Sequence, residues 1–408
     1  MKQIDSGFSK NLIWNAFGNL VYLGSQWLLT VLVTRKLGFE QAGVFSLALS
    51  VSAIFQALAL FGTRNFQVSD LKAEFSDRSY ITARLLTCAA ALLLCTAFCA
   101  VNGYPSAVFA AVCGMMLFRT AECFSDVLHG ILQKNERLHL AGISFTIRGT
   151  ICFIGFLTGV LLWNTIGLAV WIMALVSVAV TLGFDLRKTS RFWIMPSSKE
   201  PFAQITQLFI KTFPLCLYQF FSSALVSVPK YMLERILDET ALGIYSAVFT
   251  PVMLIQAVSG YLFLPFAGKL TASWKNSDKR TFLKTIGWIL LVICAFSAVV
   301  LVAAYLGKDL LILLFGEKIA GHTGLLVPAV ICSLLVSVFN LFGMIETILR
   351  DQIFLLISSA SGLIISCVLL PVMIRSHGIG GANTGQILGL TAALLFMTLR
   401  LYYKMKKV

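Results

Sequence analysis

The chain has 408 residues, of which 58% are hydrophobic and only 12% charged, and its mean hydropathy is +0.87. No water-soluble domain of this size needs so much apolar surface, because ordinary usage is nearer ~45–50% apolar and ~25% charged. The formal net charge of +14 would suit a nucleic-acid partner, but its placement along the chain excludes that reading.

A bilayer core about 30 Å thick takes roughly 20 apolar residues of helix. Twelve segments meet that length: 12–34, 42–62, 84–101, 107–128, 140–163, 166–186, 207–229, 243–266, 282–305, 324–345, 353–374 and 384–401. They predict an all-α integral membrane protein with short connections and no soluble domain; runs this long exclude a strand-built barrel. The first span is too long, and lacks a small-residue cleavage site, to be a removed signal peptide.

After the first span comes RKLGFEQAGVFS, Arg35 to Ser46, which returns 200 positions later as RILDETALGIYS, Arg235 to Ser246. Arg35/Arg235, Leu37/Leu237, Gly43/Gly243 and Ser46/Ser246 are identical, and Phe45/Tyr245 is aromatic for aromatic. Each copy reads as a short loop between two apolar spans, so the pattern predicts a duplicated bundle. The long polar connection 187–206 divides the chain into an N-terminal six-helix lobe, 1–186, and a C-terminal one, 207–408. Six spans in each give both lobes one orientation, so they are expected to be related by a pseudo-two-fold axis along the membrane normal. Pro214, Pro229, Pro251, Pro265, Pro328 and Pro371 all fall in or beside second-half spans. Helix bending should be easier there.

With the N-terminus inside, 23 Lys and Arg fall on cytoplasmic connections and seven on outer ones. That asymmetry satisfies the positive-inside rule with both termini cytoplasmic, in the inner membrane of a cell. The excess charge is thus a topology signal. The ten cysteines form no CxxC and pair with no His at ligand spacing, so they read as buried small residues without metal.

Ionisable groups inside spans are costly and face the bundle interior or a water-filled cavity. In span four, Arg119, Glu122, Asp126, His129 and Gln133 follow at spacings of 3, 4, 3 and 4 and share one face, within an arc of about 80°. Span five adds Arg148. Arg119 and Arg148 lie almost equidistant from the connecting turn near Lys134, so both are expected at similar depth, roughly 12–14 Å in. Three readings stay open: a structural Arg/Glu/Asp network, a phosphate or pyrophosphate site held by bidentate arginine, or snorkelling of Arg148 to the interface. Arg64 in FGTRNFQVSD has two readings, lining the cytoplasmic mouth or an ordinary positive-inside arginine; Lys230 in VPKYMLER reads as an outer-side ligand contact. The matching hairpin of the second half has no charge within its spans, with Glu346, Arg350 and Asp351 assigned to its cytoplasmic turn.

Catalytic signals do not emerge. There is no GxxxxGK[ST] loop, and His139, His322 and His377 are scattered without metal or nucleophile–base spacing. The longest outer loop, Leu306 to Thr323, offers only Asp309 and Glu317 as acids. Neither an enzyme nor a cofactor is expected.

Four stretches carry a resemblance: NLIWNAFGNLVYLGSQWLLTVLVTRKLGFEQAGVFSLALSV at the start, FGTRNFQVSD after span two, GILQKNERLHLAGISFTIRG across spans four and five, and VPKYMLERILDETALGIYSAVF after span seven. They resemble the polysaccharide-transport family of bacterial lipid-linked oligosaccharide flippases (Wzx-type), within the multidrug/oligosaccharidyl-lipid/polysaccharide exporter superfamily. The resemblance implies a MATE-like fold of about twelve helices in two six-helix lobes around a cationic cavity. It implies translocation by alternating access of undecaprenyl-pyrophosphate-linked repeat units for O-antigen, capsule or exopolysaccharide. It implies as partners the lipid-linked oligosaccharide, the bilayer, a polysaccharide polymerase and a chain-length regulator, and no nucleic acid. The basic cavity of the family maps here onto Arg119 and Arg148, made less cationic by Glu122 and Asp126. A drug or cation extruder of the same fold would generally use a carboxylate in span one or seven. Here those spans offer Asn15, Asn19 and Gln26, and Lys211 and Gln219. A lipid-linked peptidoglycan precursor flippase would usually carry two further spans.

Overall fold

The computed structural model describes residues 6–70, 74–193, 201–349 and 351–407, all helix and connection with no strand. Lys2, Lys72, Lys199 and Arg350, counted above among the cytoplasmic cations, lie outside the described residues. In chain order the helices are α1 Ser6–Leu60, α2 Thr63–Ser69, α3 Asp77–Val101, α4 Ser106–Lys134, α5 Leu138–Trp163 and α6 Ile166–Val180. A π-helical stretch, Thr181–Leu186, carries α6 into the single turn α7, Arg187–Thr189. Then follow α8 Pro201–Ile236, α9 Glu239–Phe249, α10 Met253–Lys275, α11 Lys279–Leu306, α12 Lys308–Phe315, a 3-10 stretch Glu317–Leu325, α13 Leu326–Ile348, α14 Gln352–His377 and α15 Ile379–Lys407. The chain divides into two compact units, Met1–Phe220 and Phe221–Val408, with the boundary inside α8.

Ten described helices are long and apolar enough to cross a membrane, or eleven when α9 and the start of α10 are taken as one span bent by 51°. The first of them is itself two helices joined at Gly38, whose φ of 82° and ψ of 179° leave the helical region. Contacts along α1 prove the reversal. On the first arm Asn11 donates to the Glu136 carbonyl at 2.7 Å and the Tyr22 hydroxyl to Glu122, so rising numbers meet falling ones on α4 and its C-terminal turn. Beyond Gly38 the Cys123 thiol reaches the Gln56 carbonyl of α1 at 4.0 Å, and Gln67 of the following α2 donates to the Val127 carbonyl at 3.1 Å. Here rising numbers meet rising ones. Counting both arms gives the expected twelve spans.

The Arg35–Ser46 segment was expected as a loop, but only Gly38 leaves the helix. One residue with positive φ suffices to turn the chain, and glycine takes that conformation without a Cβ penalty. Asp238 occupies the matching place in the second copy, with φ −168° and ψ 177°, and caps α9 by accepting from the Ala241 amide at 2.7 Å. The same repeat position therefore turns the chain in each unit. Phe45 and Tyr245, the aromatic pair of the repeat, are both buried.

In unit 1 the first arm of α1 lies directly against α5. A Cβ on Gly18 would collide with the Gly142 carbonyl, and one on Gly142 with the Trp14 carbonyl. Such backbone-to-backbone contact is how small residues join helices where lipid offers no hydrophobic drive. In unit 2 Pro251 sits at the bend between α9 and α10, and Pro371 lies inside α14. Asp351, between α13 and α14, holds Arg400 at 2.7 Å and Lys404 at 2.8 Å and so ties that turn to α15. Burial alone would raise the Asp351 carboxyl, but these two cations carry it below the usual carboxylate range. Large apolar side chains such as Leu93, Leu162, Trp288, Leu306 and Ile353 stand exposed, as lipid-facing residues do.

Candidate functional site

The polar stripe of α4 organises unit 1, and its successive members pair with different neighbours. The result is three clusters rather than one row.

Nearest the middle of α4, Arg119 donates to Glu122 at 2.9 Å, and the Tyr22 hydroxyl from α1 donates to the other Glu122 oxygen. One turn on, Asp126 accepts from two arginines, Arg84 at 3.1 Å and Arg64 at 3.3 Å. Arg64 follows the αL residue Gly62, which starts α2; it also donates to Gln133 at 2.9 Å and to the Asp126 carbonyl. Arg84, from α3, also donates to the Ala59 carbonyl and the Thr63 hydroxyl, each at 2.9 Å. The third cluster lies where the π-helical stretch widens the turn and brings Thr181 and Asp185 onto α5. There Arg148 donates to Asp185 at 3.0 Å, to Thr181 at 2.9 Å and to Ser125. Ser125 donates to Asp185 at 2.7 Å, and His129 sits 3.3 Å from the other carboxyl oxygen.

Exposure separates the clusters. The side chains of Arg148 and Asp185 are 2% and 1% exposed, whereas those of Arg64 and Asp126 are 23% and 31% exposed. Leu60, Gly62, Arg64, Asp126 and Gln219 line a cavity of about 100 Å³ within unit 1. Two guanidiniums sharing the single carboxylate of Asp126 leave one positive charge uncompensated at its wall. Arginine offers five N–H donors in a planar fork, so this corner has the charge and the geometry to take a phosphate-type anion.

Of the residues the sequence singled out, Arg64 and Asp126 line this cavity, and Arg119 and Glu122 form the adjoining cluster on α4. Arg148 was expected to share a site with Arg119, but its guanidinium belongs to the sealed cluster, because Asp185 claims it. Lys230 belongs to unit 2, where its ammonium lies 5.8 Å from the centroid of the Phe249 ring. The sequence reading missed Asp185, Arg84 and Tyr22. Asp185 and Arg84 had a signal, since each is a charge within a segment read as a span (166–186 and 84–101). Tyr22 had none. Glu346, assigned to a turn, lies inside α13 and is fully buried. Among the described residues no three His, Cys, Asp or Glu side chains gather as a metal site would require.

Long apolar helices with lipid-facing exteriors and charged clusters between them define a multi-pass membrane protein. The chain belongs to the polysaccharide biosynthesis protein family, whose profile matches residues 8–264. It is similar to the capsular polysaccharide biosynthesis protein CapF of Staphylococcus aureus, 24% identical over 311 residues that cover 76% of this chain and 78% of CapF. Among solved structures it is similar to the lipid II flippase MurJ in an inward closed conformation, with a TM-score of 0.70 and 13% identity over 96% of this chain and 87% of MurJ. It is also similar to the MATE transporter VcmN of Vibrio cholerae, with a TM-score of 0.63 and 14% identity over 97% of each chain. These likenesses show the MATE-like fold.

Proposed function

We propose that this protein moves lipid-linked oligosaccharide units, joined to their lipid through pyrophosphate, across the cytoplasmic membrane for surface polysaccharide assembly. The observation that carries this reading is the corner at Asp126, where Arg64 and Arg84 share one carboxylate beside the cavity of unit 1. A pyrophosphate supplies the missing negative charge and oxygens that match the guanidinium fork. Arg64 is the primary contact. Arg119 and Glu122 extend the polar surface along α4, and Lys230 is a second cation for the substrate in unit 2. Arg148 keeps α4, α5 and α6 together. Family membership and the likeness to CapF support the polysaccharide setting.

The test is genetic and chemical. A strain lacking this protein is expected to lose surface polysaccharide while lipid-linked units accumulate in its membrane. Unchanged polysaccharide together with raised drug sensitivity would instead identify an extruder.

The orientation proposed from charge places both termini in the cytoplasm. Reporter fusions after Asn276 should read inside and those after Asn102 and His377 outside. An outside signal from Asn276 would reverse the assignment.

A further inference from the structure

Unit 2 holds one acidic side chain unlike any in the clusters of unit 1. Glu346 lies two residues before the end of α13, is 0% exposed, and neither of its carboxyl oxygens has a hydrogen-bond partner. Glu122, Asp126 and Asp185 are all engaged by arginine. A buried, unpartnered carboxylate is among the costliest groups a protein can hold, and such a group escapes the cost by taking up a proton.

The charged groups that act on Glu346 are Lys404 and Arg400 of α15 and Asp351 of the following turn. Both cations are already engaged. Arg400 lies 2.7 Å and Lys404 2.8 Å from the same Asp351 oxygen, and Lys404 also donates to the Leu349 carbonyl at 3.1 Å. Lys404 and Arg400 are four residues apart and so lie on one face of α15. A shift of that helix end moves both together.

We propose that Glu346 is a proton-binding site of the transport cycle, neutral while Lys404 and Arg400 are held by Asp351 and ionised when α15 brings them to it. The proposal rests on the transport reading and adds its coupling ion. In the exchange the O–H bond of the Glu346 acid breaks, the proton leaves to water, and the carboxylate becomes the third partner of the Asp351 cations. One ammonium, of Lys404, and one guanidinium, of Arg400, near Glu346 favour a proton over a metal cation.

The experiment uses the full chain, purified and reconstituted in vesicles, with Glu346→Gln, which keeps the shape of the neutral acid. Infrared difference spectra between acid and alkaline buffer should show the C=O stretch of a neutral carboxylic acid in the wild type, lost in E346Q with thermal unfolding unchanged. A proton gradient of one pH unit should drive accumulation of lipid-linked oligosaccharide up to about tenfold per proton carried in the wild type, and should have no effect on E346Q. A wild-type spectrum identical to that of E346Q, unaltered gradient dependence in E346Q, or drive by a sodium gradient alone would each overturn the proposal. A wild type that shows the Glu346 band but moves no oligosaccharide overturns the transport reading and leaves the proton site standing.

Discussion

Arg148→Ala is expected to lower the stability of unit 1 by about 3–5 kcal/mol, the cost of orphaning one partner of a buried ion pair. The loss is concentrated on Asp185, whose side chain is 1% exposed and would keep neutral or weakly charged partners such as Ser125 and His129 but no arginine. Against a typical total of about 5–15 kcal/mol, a deficit of that size empties the membrane of folded protein. Thermal unfolding in detergent and the membrane level both report it. Removing both charges in Arg148→Ala/Asp185→Ala should restore part of the loss, because no uncompensated carboxylate then remains buried. An Arg148→Ala protein with normal unfolding and normal abundance but no export would show instead that Arg148 touches substrate.

Arg64→Gln should do the reverse. Asp126 keeps Arg84 at 3.1 Å, so no buried acid is orphaned, and the side chain removed is 23% exposed. Stability is expected to stay near that of the wild type. Losing a charge-assisted contact to the diphosphate costs about 1.5–3 kcal/mol, or roughly 10- to 150-fold in affinity. Surface polysaccharide should fall while the amount of folded protein does not. Arg64→Lys keeps the charge but not the planar fork, so partial export is expected from it. Full export from Arg64→Gln would rule out the Asp126 corner as the anion site.

The spans could be read from the sequence because each needs only a run of about 20 apolar residues, a local property. The shared face of Arg119, Glu122, Asp126, His129 and Gln133 was readable for the same reason, since helical period is local too. Which neighbour each member meets is not local. The sequence offers Arg119 and Arg148 as a pair at one depth, yet Asp185, from a different helix and 37 residues from Arg148, decides the partnership. The π-helical stretch that aims Asp185 inward leaves no mark on hydrophobic period. Glu346 was misplaced because a carboxyl near a helix end reads as solvated unless the packing of α15 over it is known. The turn at Gly38 was taken for a loop because the polar residues around it, Arg35, Lys36, Glu40 and Gln41, look like one.

That turn bears on how the protein is made. A span pair joined by a single non-helical residue has almost no polar linker to carry across the bilayer. With both termini cytoplasmic, as proposed, the two arms of α1 would enter as one preformed hairpin during synthesis, and the charges of Arg35 and Lys36 would cross once, together, at its tip. The turn at Asp238 gives the second unit the same start. Lengthening either turn would leave the folded bundle little changed and would burden the insertion machinery instead.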